Sequence, residues 1–211
     1  FMVARQLDAL VAGDIDFRIA HDWRDFERMS PHLPLALVAS EDQNFANHHG
    51  FDFAAIERAQ AHNEKMVERA EKRGKPVRRL RGASTISQQT AKNVFLWQGT
   101  GWTRYLRKGL ETWFTLLIEN IWGKRRIMEV YLNVAETGIG TYGVEAGSQR
   151  YFKHSAATLS RHEAARMAAA LPLPKKRAVV SPDGFTRRYG NTIAARIGSV
   201  GRYGLDSCVY E

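Results

Sequence analysis

The segment "TRYLRKGLETWFTLLIENIWGKRRIMEVYLNVAE", residues 103–136, decides the fold class. Apolar side chains fall at 106, 110, 113, 114, 117, 118, 121 and 122, the spacing of one face of a helix. The pattern predicts a long helix over 103–123 with those residues on the buried stripe. Arg107, Lys108, Glu111 and Glu119 then need places on or beside the polar stripe. Residues 124–136 predict a second helix close behind.

Helical signals continue on both sides of this pair. "FAAIERAQAHNEKMVERA" (53–70) reads as a helix broken by Gly74 and Pro76, and six cations lie between Lys72 and Arg81 in a basic loop. "GASTISQQTAKNVF" (82–95) is a loop entering a helix, with Thr85 and Gln88 at capping-box spacing. After three glycines in residues 138–143 a new helix begins near Val144, and Ser160 with Glu163 repeats the capping pattern before Pro172 and Pro174 stop that helix. Residues 186–204 form a last, glycine-weakened helix. "DFRIAHDW" (16–23) is the best extended segment, and "FMVARQLDALVAG" (1–13) reads as a short amphipathic helix packing on the core. The chain is a mainly α domain.

At 211 residues, with 44% of them hydrophobic, it suits one domain with a buried core. Thirty-one Lys and Arg against 22 Asp and Glu leave a formal charge of +9, which points to an anionic partner: nucleic acid, an acidic membrane surface or a phosphorylated substrate. The single Cys208 excludes an intrachain disulfide framework. No stretch approaches the roughly 20 apolar residues that span a bilayer.

Three segments carry chemistry. The apolar run "LPLALVA" (33–39) leads into "SEDQNFANHHGFD" (40–52). Glu41 stands where that apolar helix ends, so partial burial would raise its proton affinity and suit it to act as a base. Asp42 would project about 100° around the axis, toward a metal, a cation or a local N–H group. Structural hydrogen bonds are the better reading for His48 and His49, and Gly50 permits a tight turn. In the second segment Glu111 lies four residues after Arg107 and three after Lys108, so all three meet on one face, as a surface ladder or as the lining of a cleft. In the third, "GASTISQQTAKN" (82–93), hydroxyls, the Gln88 and Gln89 amides and Lys92 surround a helix start whose N–H groups favour an anion. It is not a P-loop, since G-x-x-x-x-G-K-[ST] is absent. Two carboxylates and an anion cradle suggest transfer chemistry with a phosphate-bearing leaving group.

The ordered blocks "EDQNFANHHGFD", "GASTISQQTAKN", "RKGLETWFTLLIE", "KRRIMEVYLNVAETGIGTYGVEAGSQRYF" and "EAARMAAALPLP" cover nearly everything from residue 36 to 174. This set resembles the peptidoglycan glycosyltransferases, the lysozyme-like family that polymerises lipid II, and most closely its monofunctional membrane-anchored members. The resemblance implies a lysozyme-like fold, with a larger globular lobe and a smaller membrane-facing lobe around a cleft. It implies one catalytic domain over 1–211, with a transmembrane anchor expected upstream, at the bacterial inner membrane with catalysis on the periplasmic side.

On the same resemblance Glu41 is the general base and Glu111 the second catalytic carboxylate. Lys92, Arg107 and Lys108 stabilise the departing undecaprenyl pyrophosphate in an inverting transfer that makes β-1,4-linked strands. Asp42, Phe45, His48, Ser84, Thr85, Gln88, Gln89 and Asn93 match the substrate-binding motifs. Tyr131, Asn133 and Glu136 fall in the fourth motif, as fold supports or as substrate contacts. A divalent ion, Mg or Mn, is the expected cofactor, with no organic cofactor. The expected partners are lipid II, the growing lipid-linked strand, an anionic membrane surface and cell-division or cell-wall synthesis proteins, with no nucleic acid. Either "ERMSPHLPL" (27–35) or the segment from Val94 to Trp102 would touch the membrane. Thr137 stands where the family often has an aromatic residue, Gly147 where alanine is usual, and the basic insertion is a departure in which conformational change is expected.

Two rival readings stand beside this one. A lysozyme-like hydrolase shares a helical fold and a catalytic glutamate but needs no phosphate cradle. A basic nucleic-acid-binding module is suggested by net charge alone.

Overall fold

A computed structural model describes residues 2–77, 80–97, 101–172 and 177–210. Its helices are α1 (Met2–Val11), α2 (His32–Ser40), α3 (Phe53–Lys72), α4 (Ile86–Phe95), α5 (Thr103–Ile121), α6 (Gly123–Val134), α7 (Val144–Phe152), α8 (Arg161–Ala170) and α9 (Gly184–Arg202). Three short strands form a sheet in the order β1 (Ala20–His21), β3 (Thr141–Tyr142), β2 (Glu136–Gly138), with β1 parallel and β2 antiparallel to β3. The second predicted helix therefore ends at Val134, two residues early, because Glu136 enters the sheet.

The apolar run of α2 lies at the centre of the core. Leu33, Ala36, Leu37, Val38 and Ala39 are all buried, and α8 and α9 pack against them. The alanines of α8 let the backbones approach closely, and Ile193, Ile197 and Val200 of α9 with Ile127, Met128 and Leu132 of α6 complete the cluster. Burial of this apolar surface, not helix propensity, supplies most of what holds α2 in place. The mouth of the cleft is framed by α3, on which only Ala59 is buried among the described residues. The carboxyl of Asp52 starts α3 by accepting from Ala55 N–H at 2.8 Å.

Both capping boxes form as read, Thr85 with Gln88 and Ser160 with Glu163. Other expectations fail. The helix α1 buries none of its residues, so it is not a core-packing helix; Arg5 instead ties it to Glu136 at 3.0 Å. In "ERMSPHLPL" the side chains of Met29, Leu33 and Pro34 are buried in the core, which removes that stretch as a membrane contact. Of the basic insertion, Arg78 and Arg79 lie outside the described residues.

The largest departure concerns α5. Its buried residues are Glu111, Thr115 and Ile118, whereas Tyr105, Leu106, Trp113, Leu116 and Ile121 are exposed. Three of the eight residues of the expected apolar stripe, Leu106, Trp113 and Ile121, thus face outward, while the charged Glu111 faces inward beside Ile118. The inward face is tolerated because most of its polar groups are partnered: Thr115 Oγ1 donates to Glu111 O at 2.6 Å, and Glu119 accepts from Ser87 and from Lys124, while Arg107 Nε is buried without a hydrogen bond. The loop after α2 can close on this face because Gly50, at φ 91°, has no Cβ; one built there would lie 2.8 Å from Thr115 Cγ2.

Two of the three expected departures, Thr137 and Gly147, adjoin each other. A Cβ at Gly147 would lie 2.8 Å from Thr137 Oγ1, and that hydroxyl bonds to Thr141 O at 3.2 Å. The buried Thr137 side chain occupies the volume an alanine at 147 would need.

Candidate active site

Glu41 and Asp42 leave the end of α2 in different directions, as their spacing requires. The Glu41 N–H still bonds back to Leu37 O at 2.8 Å, so its side chain is carried by the last turn of a fully packed helix. Asp42 turns inward. Its Oδ2 accepts from Ile86 N–H, the first residue of α4, at 3.0 Å and from His48 Nε2 at 2.9 Å. Gly50 N–H donates to His48 Nδ1 at 3.1 Å, which leaves Nε2 as the nitrogen that donates to Asp42. Thr85 Oγ1 donates to Gly50 O at 2.7 Å and closes the loop.

The start of α4 therefore does not present an open cradle for a ligand anion. Ile86 N–H is taken by Asp42 and Gln88 N–H by Thr85, so the anion at this helix end is the protein's own carboxylate. Phe45 is fully buried beneath the Lys124 ammonium, 4.6 Å from its ring centroid, and His48 and Gln88 are buried as well. These three residues brace the wall of the cleft from behind.

Glu41 itself faces the cleft. Its Oε2 accepts from Gln89 Nε2 at 3.0 Å, and Gln89 Oε1 in turn accepts from Tyr131 O–H at 3.3 Å. Burial raises the proton affinity of the Glu41 carboxyl above the ordinary range, against the opposing pull of the Gln89 hydrogen bond, Arg177 and Lys92. Such a carboxyl is a stronger base near neutral pH than an exposed glutamate.

Glu111, 3% exposed, is held between Lys108 and Arg107, the latter at 3.4 Å. The spacing read as a ladder is thus a buried ion cluster on the inward face of α5. Lys92 on α4 lies within the field of both carboxylates: burial lowers its pKa, Glu111 and Glu41 raise it, and Arg107 and Lys108 lower it. The structure brings Glu41, Gln89, Lys92, Arg107, Lys108 and Glu111 into one electrostatic neighbourhood.

Three adjoining cavities run past Glu41, Gln89 and Lys92, while Arg107, Lys108 and Glu111 line none of the three. One of about 320 Å³ is lined by Glu41, Asp42, Arg58, Arg81, Ser84 and Thr85. One of about 660 Å³ shares Glu41 and Ser84 and adds Gln89, Arg177, Phe185 and Tyr189. A third, of about 150 Å³, is lined by Gln89, Lys92, Asn93, Tyr131, Glu136 and Tyr142. Glu41 thus stands in a wall common to two cavities, and Gln89 between the second and the third.

Arg58, Arg81, Arg177 and Tyr189 were not singled out by sequence reasoning. Arg177 donates to Ala169 O at 2.6 Å and lies 5.1 Å from the Phe185 ring centroid, a cation–aromatic placement with no fixed sequence spacing. Asn63 pairs with the backbone of Arg81 through both ends of its amide, at 2.7 and 3.0 Å, and so fixes the loop at the cleft.

Among the described residues, no three His, Cys, Asp or Glu side chains come together to hold a metal ion. Asp42 and Glu111 already spend oxygens on N–H and cationic partners.

Known proteins share much of this sequence. The family model described as Transglycosylase matches residues 10–197. The chain is 50% identical over 189 residues to a biosynthetic peptidoglycan transglycosylase of Caulobacter vibrioides, covering 90% of this chain and 76% of that protein. It is 51% identical over 187 residues to one of Xanthomonas oryzae, covering 89% and 71%, and 50% identical over 186 residues to one of Shigella boydii, covering 88% and 72%.

Proposed function

The chain belongs to the transglycosylase family, and from that premise we propose that it is a peptidoglycan polymerase in which Glu41 is the base that activates the acceptor sugar. The observation that carries this reading is a half-buried carboxyl of raised proton affinity facing a cleft, beside an ion cluster of three cations around Glu111. A hydrolase needs the first of these features but not the second.

The C4 hydroxyl of an acceptor N-acetylglucosamine attacks C1 of the donor N-acetylmuramic acid. Its proton passes to a Glu41 carboxylate oxygen as the new C–O bond forms. The bond from C1 to the diphosphate breaks, and its electron pair leaves with the diphosphate oxygen. Lys92, Arg107 and Lys108 stabilise the charge that grows there. Attack from the face opposite the leaving group inverts an α-linked donor to a β-1,4 product. Glu111 keeps the cations in place and moderates their mutual repulsion, and Ser84 and Asn93, at the cavity walls, supply polar contacts to the sugars.

No helix among the described residues is long and apolar enough to cross a membrane. We propose that the outward face of α5 docks on the bilayer that holds the lipid-linked substrate. Trp102 is 74% exposed, Tyr105 72% and Trp113 59%, with the cationic Arg104 beside them. Aromatic and basic groups together suit the interface of an anionic membrane.

Labelled lipid II and purified cell-wall sacculi separate the readings. Polymer growth that Glu41→Gln abolishes supports the polymerase. Soluble fragments from sacculi without polymer growth would overturn it in favour of a hydrolase.

A further inference from the structure

Tyr131 is 2% exposed, sits on α6 and does not touch Glu41 directly. Its hydroxyl donates to Gln89 Oε1 at 3.3 Å, and Gln89 Nε2 donates to Glu41 Oε2 at 3.0 Å and, more distantly, to Ser84 O at 3.5 Å. A side-chain amide is asymmetric: one end only accepts and the other only donates. An ionised carboxylate can only accept. The amide therefore supports the charged form of Glu41 only in the orientation that turns its N–H2 group toward the cleft. Rotated by half a turn, it would set a carbonyl oxygen against the carboxylate, and only a protonated Glu41 could bond to it.

We infer that Tyr131 is a positioning residue that donates to Gln89 Oε1 and so holds the amide with its N–H2 group on the Glu41 carboxylate, while Ser84 O, which can only accept, selects that orientation. Its phenol can serve as a constant donor because burial, with the nearby Glu41 charge, pushes its own ionisation well above the usual range. The amide is thus held from α6, behind the cleft wall, with its orientation selected by Ser84 O and the Glu41 carboxylate before substrate arrives. The role rests on the reading of Glu41 as the base. Other charged and titratable groups face the same carboxyl: Asp42 from its own loop, Lys92 from α4, Arg177 before α9 and Tyr189 on α9, with His62 and Arg81 on the wall of the shared cavity. They set the position of its titration, and the relay shifts it.

The test is the pH dependence of kcat for lipid II polymerisation. The rising limb reports deprotonation of the base. Tyr131→Phe keeps the ring and removes the donor, so the limb should move to higher pH by about one unit, with much of the plateau retained. Gln89→Leu should move it in the same direction. The double variant Tyr131→Phe/Gln89→Leu should lie where Gln89→Leu lies, because the tyrosine acts through the amide. A lower plateau with an unmoved limb in Tyr131→Phe, or additive shifts in the double variant, would overturn the relay. Should Tyr131→Phe fail to fold, Gln89→Leu and Gln89→Glu still decide, since an unmoved limb in both defeats the proposal. Polymerisation retained by Glu41→Gln would sink the base assignment itself. An inactive Glu41→Gln with unshifted Tyr131→Phe sinks the relay alone.

Discussion

Glu41→Gln removes a charge from the end of α2 while keeping its shape, and it should stabilise the protein as it silences it. Burial of the carboxyl outweighs the Gln89 hydrogen bond, Arg177 and Lys92, so its folded pKa lies above its unfolded one. Between the two values the folded chain holds a proton that the unfolded chain has released, and stability falls as pH rises through that window. Below the window the acid is neutral in both states and nothing is lost. Above it the whole cost persists, about 1.4 kcal/mol for every pH unit of elevation. The glutamine that replaces it still offers an acceptor to Gln89 Nε2, so no buried donor is orphaned. The gain at neutral pH should fall in the range of about 0.5–2 kcal/mol common for stabilising substitutions. For a chain of this length that is roughly 1–8 °C in Tm. Thermal unfolding of both proteins at acidic and neutral pH measures it, with the difference vanishing in acid and opening as pH rises. A difference of the same size at every pH, or none at neutral pH, would refute the reasoning.

The ion cluster makes its own prediction. Glu111→Gln takes the carboxylate away from Arg107 and Lys108 and weakens the field that Lys92 shares with Glu41; with Lys108 half exposed the loss of stability should be about 1–3 kcal/mol, read by urea unfolding. The same change lets the Lys92 pKa fall further, so the alkaline limb of polymerisation should move to lower pH. Lys92→Ala should raise the donor requirement more than the acceptor requirement in assays that vary the two sugars separately, and equal losses would count against a leaving-group role. Gly147→Ala should cost about 1–3 kcal/mol through overpacking against Thr137, and the penalty should shrink in a Thr137→Ala background, a coupling that chemical denaturation resolves. Replacing Trp113 and Tyr105 by serine should weaken co-sedimentation with anionic vesicles while leaving Tm nearly unchanged, since both side chains are exposed.

Local rules were legible where chemistry and spacing coincide. Thr85 and Gln88 announced the start of α4, Ser160 and Glu163 that of α8, and the apolar run before Glu41 marked a helix that lies at the centre of the core. The cluster of Glu111 with Arg107 and Lys108 was also readable, because i,i+3 and i,i+4 positions meet on any helix. What the sequence hid was direction. Periodicity located the apolar stripe of α5 but could not reveal that the helix turns toward one edge of it, with Glu111 and Thr115 buried beside Ile118 where Gly50 lets the loop close. Nor could it show that the anion at the start of α4 would be Asp42, 44 residues distant along the chain. Arg177 left no pattern at all, since it reaches the cleft from an irregular segment and is held by a carbonyl and two rings.

The orientation of α5 sets a length scale for the reaction. A helix with its side chains is about 10–12 Å across, and here the exposed Trp113 lies on a different flank from Arg107 and the buried Glu111. A polyprenyl carrier held at the lipid boundary would need to lift its headgroup by little more than one cylinder's width to reach Lys108 and Arg107. Tail and headgroup would then be handled by different flanks of one helix, so the carrier could slide along the bilayer from one addition to the next without being extracted from it.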